Sequence, residues 1–289
     1  MVEDVTAGIA APALNLRREE LADIELQLLL DALLRYGACD FRSFNHTVLR
    51  RRVADAMRAT GTTSISGLLE RLLHDEGLFA AFVLSMAGGE SQLFSDATFF
   101  RSFRVHVVPL LQTYSFIRLW VPCAGTGADA YALAALLDEA GILGRTIIYA
   151  TCMNEVSVAV AKSTGYKHAG GTHFEAAARV AGIEGPLSDY FDISADQATP
   201  NQRLRDAVML ARHNPASDGS INEFHAIVSR GLLPLLNRAT QFRFHGLLFE
   251  SMMHLGFLAL GSGETLAAST HEAAFRQVAS DQPIFRRLR

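Results

Sequence analysis

Apolar residues recur at three- and four-residue steps through the early part of the chain. Leu21, Ile24, Leu28 and Ala32 form one helical stripe, and Leu26, Leu29 and Leu33 widen it. The same spacing predicts helices over 44–59, 66–74 and 76–86, with Thr62-Thr63-Ser64 supplying a turn and an N-cap. Residues 1–17 are small and weakly patterned and read as a flexible tail. Residues 18–95 read as a helical N-terminal domain.

Beyond residue 113 the period changes. Residues 116–121 are a short apolar run of strand composition, followed by Cys123-Ala-Gly-Thr-Gly127 and a helical stretch over 128–140. A second strand is predicted over 146–151 and a second helix over 155–164. Strand, glycine turn, helix, strand and helix make a βαβ unit, which requires a parallel sheet. Strands are also predicted over 207–211, 224–228 and 256–260, with a helix over 241–254. Residues 170–205 break the pattern with Pro186, Pro200 and a polar run, and read as an inserted or connecting subdomain. The fold class is α/β: a helical bundle, then a Rossmann-like domain over 96–289 carrying the insertion.

Composition narrows the setting. The chain has 289 residues, 49% of them apolar, which suffices for a large core. A formal net charge of -4 gives no global attraction to nucleic acid or anionic membrane. Cys39, Cys123 and Cys152 make neither a metal-binding spacing nor an even disulfide set. No signal peptide is recognisable, and no stretch reaches the roughly 18 apolar residues of a membrane span. A cytoplasmic protein without membrane insertion is expected.

A glycine turn between a first strand and its helix lets the backbone approach a ligand, and the helix N-terminus there favours negative charge. By itself the turn is equally a packing feature. Order along the chain adds to it. Arg50-Arg51-Arg52 and Arg58 lie on a basic helix within 41–58. Leu93-Phe-Ser-Asp-Ala-Thr-Phe-Phe100, the Trp120 to Tyr131 glycine block and Tyr149-Ala-Thr-Cys-Met-Asn-Glu155 follow. His213-Asn214, the stretch 224–238 and Leu260-Gly-Ser-Gly-Glu-Thr-Leu266 close the series. From residue 24 to 288 this order resembles the CheR-type protein-glutamate O-methyltransferases.

The resemblance implies S-adenosyl-L-methionine (AdoMet) as cofactor and a chemoreceptor-like or other signalling protein as partner. It places Gly125, Gly127, Asp129, Cys152, His213, Asn214 and Arg230 at cofactor positions, and Ser95, Arg230 and Leu235 at the family's catalytic positions. Arg50, Arg51, Arg52 and Arg58 fall on the helix that faces acidic substrate helices; the plain alternative is a solvated helix face. In many relatives the inserted subdomain docks a receptor tail by strand addition, which the polar run and Pro200 argue against here.

The departures from the family fall on ligand positions. The family's Asn and Thr before the FFR block are Gly89 and Ser91, and the Arg of that block is Ser95. Its first Gly after strand one is Cys123, preceded by Pro122. Its first Glu after the turn is Ala128, its Asp after strand two is Cys152, and its later Asn and Tyr are Gly231 and Leu235. Three functions stand on the sequence: a CheR-like protein with an eroded AdoMet site that binds partners, an active carboxyl methyltransferase, or a pocket repurposed for another metabolite. The resemblance also sets Cys123 and Cys152 at the ends of neighbouring strands, predicting free thiols in the former ribose region.

Overall fold

The computed structural model describes residues 18–87, 92–163, 165–167, 172–194, 197–267 and 269–289. The expected tail over 1–17 and positions Gly89 and Ser91 lie outside them.

Four helices come first: α1 (Arg18–Gly37), α2 (His46–Thr60), α3 (Ile65–His74) and α4 (Glu76–Ala87). Asn45 caps α2 by accepting from Thr47 N, and Ser64 caps α3 by accepting from Gly67 N. α1 buries Leu26, Leu29, Leu30 and Leu33, whereas Leu21, Ile24 and Leu28 are about half exposed. The stripe that the spacing makes most regular is therefore the outer one. The core takes the other face because α3 packs against it, and Glu25 beside that face accepts from Ser66 at the start of α3.

After α5 (Ala97–His106) and α6 (Val108–Leu111) come β1 (Ile117–Val121), α7 (Ala128–Glu139), β2 (Thr146–Cys152) and α8 (Glu155–Ser163). The insertion contributes β3 (Tyr166–Lys167), α9 (Thr172–Ala181), β4 (Phe191–Ile193) and β5 (Gln197–Pro200). The chain returns through α10 (Gln202–Ala207), β6 (Val208–Arg212), β7 (Phe224–Ser229), α11 (Arg238–Glu250), β8 (Met252–Leu260), β9 (Phe275–Gln277) and β10 (Ile284–Arg287).

The main sheet runs β6-β2-β1-β7-β8-β10-β9. Its pairs are parallel from β6 to β8 and antiparallel at β10 and β9. β1 pairs with β2 on one side and β7 on the other, so the strand order reverses there and a crevice opens above the carboxyl ends. A second, antiparallel sheet runs β3-β5-β4. Pro200 thus ends the middle strand, opposite Phe191, and does not blunt an edge. The irregular reading of 170–205 missed α9 and this sheet.

The helix expected over 241–254 also needs correction. It starts at Arg238, where the Asn237 side chain accepts from Thr240 N, and it stops at Glu250. Residues 252–254 already belong to β8, which bulges between its pairings Phe224↔Met252 and Ala226↔Phe257, with Leu255 at φ +64°.

One face of the sheet buries Leu119, Val121, Ile148 and Ala150 against α5 and α7. The other buries Trp120, Ile227, Leu258 and Leu260 in a core shared with α1–α4 and α11. The helical part is stitched to the sheet by Asn45 N donating to Leu235 O at 2.7 Å and Asn237 N donating to Ser43 O at 2.9 Å. Among the described residues no helix is long and apolar enough to cross a membrane.

Candidate functional site

The glycine turn lies between β1 and α7. Cys123, Gly125 and Gly127 all have positive φ, +52°, +54° and +84°. Gly127 is the N-cap of α7. A Cβ there would stand 3.2 Å from Tyr166 Oη and 3.3 Å from the Tyr131 ring, so both its conformation and its neighbours call for glycine. The turn is pinned by Ala124 N donating to Thr151 O at 2.8 Å and by Tyr166 Oη donating to Thr126 O at 2.8 Å. Tyr166 comes from the insertion, and sequence reading gave it no part.

The end of β2 meets this turn, and the end of β6 lies beside that of β2. Cys152 is 1% exposed, and its Sγ lies 3.7 Å from Gly125 O. Burial, and secondarily Glu155, push this thiol up to about 12. Burial first, then Cys152, also raises Cys123. Both are free. His213 N donates to Cys152 O at 2.8 Å, its Nε2 is 2.9 Å from Gly219 O, and its ring meets Trp120 edge-on. The Asn214 side chain accepts from Ala216 N at 3.0 Å. Cys152 is thus brought against Gly125 beside Gly127, with His213 and Asn214 following next to Cys152; their polar groups mostly serve the protein's own turns, but His213 Nδ1 is buried with no hydrogen-bond partner among the described residues.

Arg230 and Asp129 form a second cluster. Arg230 Nη1 donates to Asp129 Oδ1 at 2.7 Å, and Nη2 donates to Ser95 O at 3.1 Å and lies 3.6 Å from Asp96 Oδ2. Its guanidinium lies over the Phe99 and Phe100 rings, 4.5 and 5.3 Å from the centroids. Beside it is a crevice of about 390 Å³, walled by Arg52, Asp96, Cys123, Asp129 and Arg230. A cavity of about 560 Å³ lies beyond Asp96, floored by Phe94, Phe174 and Tyr166. Neither is lined by Cys152, His213 or Asn214. Ser95 Oγ is closed off from solvent without a hydrogen-bond partner among the described residues, and Ala128 is buried.

Leu235 sits elsewhere, buried in the core shared with the helical part. The turn before it is held by Glu264, another residue missed from sequence. Its carboxylate accepts from Gly231 N at 3.1 Å, Leu233 N at 2.9 Å and Gly261 N at 2.6 Å. Burial raises Glu264 against the pull of those three N–H groups and of Arg230. A carboxylate inside Gly-Ser-Gly-Glu was the available signal, since such turns present several N–H donors to one acceptor.

The basic helix is divided. Arg50 pairs with Asp23 and Arg58 with Asp55. Arg52 turns inward, Nη1 donating to Ser85 O at 2.6 Å and to Met86 O, and lines the crevice. Arg51 is exposed. Among the described residues no cluster of three or more His, Cys, Asp or Glu could hold a metal ion.

Comparison with known proteins gives two family matches: the CheR methyltransferase SAM-binding domain over residues 89–284 and the CheR all-alpha domain over residues 24–87. The chain is 35% identical over 269 residues to the Pseudomonas putida protein named "Putative methyltransferase Cher3", covering 93% of this chain and 98% of that one. It is 24% identical over 247 residues to an uncharacterised 104.1 kDa protein of Rhodobacter capsulatus, spanning 25% of that protein's length. Among solved structures, the glycopeptide N-methyltransferase MtfA complexed with sinefungin matches at TM-score 0.35 and 15% identity, over 60% of this chain and 51% of that one. PKMT2 from Rickettsia typhi in complex with AdoHcy matches at TM-score 0.34 and 10% identity, over 57% and 24%.

Proposed function

The chain belongs to the CheR methyltransferase family, and from that membership we propose that its AdoMet site is eroded and that it works by binding a signalling partner. Cys152 carries the reading. A ribose diol calls for a carboxylate acceptor at this strand end. Here stands a neutral, buried thiol set against Gly125 O.

The other groups that AdoMet requires fare no better. Its ammonium and sulfonium call for negative or polar surroundings. Ala128 supplies none, and Asp129 and Asp96 are engaged by Arg230. Each lost charge-assisted hydrogen bond costs about 1.5 to 3 kcal/mol, so two or three lower affinity by orders of magnitude. The residues present do not fit the cofactor.

The partner surface in this reading is α2, where Arg51 faces solvent. The partner is an acidic, chemoreceptor-like protein met in the cytoplasm. Titration calorimetry with AdoMet and S-adenosylhomocysteine is the test. Dissociation constants no tighter than about 100 μM are expected from the summed losses, and low-micromolar binding of either would overturn the proposal.

One observation favours a second reading, an active carboxyl methyltransferase. Arg230 Nη2 stands 3.1 Å from Ser95 O, which places a guanidinium beside the position of the family's missing Arg. Methyl transfer to an acidic protein, followed with labelled AdoMet, would establish it.

A further inference from the structure

The main sheet ends on β9, and among the described residues no strand pairs with its outer side. Ala274 O accepts from Leu288 N at 2.8 Å, and Val278 N donates to Ile284 O at 2.8 Å. Alternation turns the backbone groups of Arg276 toward β10 as well, and turns those of Phe275 and Gln277 outward. Phe275 N already donates to Glu272 O. Phe275 O and both backbone groups of Gln277 therefore form an open edge.

A row of side chains crosses this edge. Arg276 stands opposite Arg286 on β10, and Arg286 stands opposite Phe257 on β8. Two guanidiniums directly across from each other repel. Neither makes an ion pair among the described residues, in a chain whose formal net charge is -4. Arg286 is held in place: its Nε donates to Leu255 O at 3.2 Å, and its guanidinium lies over the Phe257 ring, 5.4 Å from the centroid. Arg276 is exposed, and Phe275, on the other face of β9, is half-buried.

We propose that β9 is a docking edge for an extended acidic segment of a partner protein, which adds as an outer strand with a carboxylate opposite Arg276 and an apolar residue opposite Phe275. The edge lies four strands from β1, about 19 Å at ordinary strand spacing, so the assignment does not rest on the reading of the donor site. A single exposed arginine is enough to keep so short an edge from pairing indiscriminately. The second, fixed over Phe257, adds nothing to that protection and leaves an uncompensated pair of cations. A second copy of this chain is a poor occupant, because antiparallel pairing of two β9 strands centred on Arg276 sets the two arginines against each other. A carboxylate in that position relieves the repulsion instead. The added backbone pairs with the open groups of Phe275 and Gln277, and side-chain alternation puts acid and apolar residues on opposite faces.

The probe is a short, end-blocked peptide of alternating valine and glutamate. Its binding to the full chain is followed by fluorescence anisotropy, and hydrogen exchange is read at Gln277 N–H. Two control peptides accompany it. One carries lysine in place of glutamate. The other carries proline in place of the central valine, which removes a ladder donor and keeps the charge. Arg276→Gln and Arg276→Glu are the informative variants, since an exposed side chain can be changed without disturbing the core.

The expected result is saturable binding of the glutamate peptide, with the lysine peptide weaker by about tenfold. Arg276→Gln should weaken the glutamate peptide about fivefold, and Arg276→Glu should reverse the preference in favour of lysine. Exchange at Gln277 N–H should slow in the complex. Absence of saturable binding, or equal binding of the glutamate and lysine peptides, would overturn the acidic partner. Undiminished binding of the proline peptide, or unchanged exchange at Gln277, would overturn strand addition. Because the peptide comparisons need no substitution, they decide both points even if an Arg276 variant folds poorly.

Discussion

Arg230 and Asp129 meet at 2.7 Å although 101 residues separate them, one just beyond the end of β7 and the other in the first turn of α7. Their side chains are 10% and 17% exposed, so the pair is largely desolvated. Removing one partner from such a pair costs more than the pair contributes, because the other charge stays buried.

Arg230→Met should therefore destabilise the protein by about 2 to 4 kcal/mol, and Asp129→Asn by less, since the amide can still accept from the guanidinium. Urea unfolding of both single variants and the double variant gives the coupling, expected at about 1 to 3 kcal/mol. Additive single effects would show that the contact contributes nothing specific.

Glu264 sets a pH dependence. Burial holds its pKa above the ordinary glutamate value. The fold thus favours the protonated acid, and that stabilisation is complete below the unfolded pKa and fades as pH rises through the folded one. Glu264→Gln cannot titrate. The stability of wild type relative to this variant should fall as pH rises above the ordinary glutamate range, in urea titrations at several pH values. A difference that grows with pH would show that the fold favours the ionised carboxylate instead.

Gly127→Ala tests the turn. At φ +84°, a side chain there is disfavoured by about 1 to 2 kcal/mol even before its contacts with Tyr166 and Tyr131. A loss of about 2 kcal/mol or more is expected by thermal or urea unfolding. A neutral outcome would mean that the turn relaxes freely.

Ligand groups can also be returned. Ser95→Arg, Ala128→Glu, Cys152→Asp and Gly231→Asn together should restore measurable AdoMet binding in calorimetry. The melting temperature should drop, because positions 128 and 152 are buried and each new carboxylate needs a partner. Gly231 is at φ +72°, a conformation asparagine tolerates. A folded quadruple variant that still fails to bind would locate the loss in pocket shape, around Pro122 and Pro234.

The sheet's parallel strands were legible because they are short apolar runs alternating with helical periods, as in 116–121 and 146–151. The faces of α1 were not. Leu21, Ile24 and Leu28 and the buried Leu26, Leu29 and Leu33 are equally apolar, and only a tertiary partner chooses between them. Within the site, the turn at Gly125 and Gly127 could be placed from spacing alone. The engagement of Asp129 by Arg230 could not, nor could the hold of Glu264 on Gly231, because both join residues remote in sequence through a fold that must first exist. Arg52 differs from Arg50 and Arg51 only in helical phase, yet it alone of the four basic-helix arginines lines the crevice.

The indole of Trp120, the sole tryptophan, is fully buried, stacked on Phe224 with centroids 5.3 Å apart, and donates to Thr151 Oγ1 at 3.0 Å. Its edge-on neighbour His213 follows the strand that ends beside Cys152. The molecule therefore carries one indole fluorophore, set near the carboxyl ends of β1 and β2. Its emission should be blue-shifted, and should respond to anything that reorders residues 151 or 213, giving an optical readout of this floor without a label.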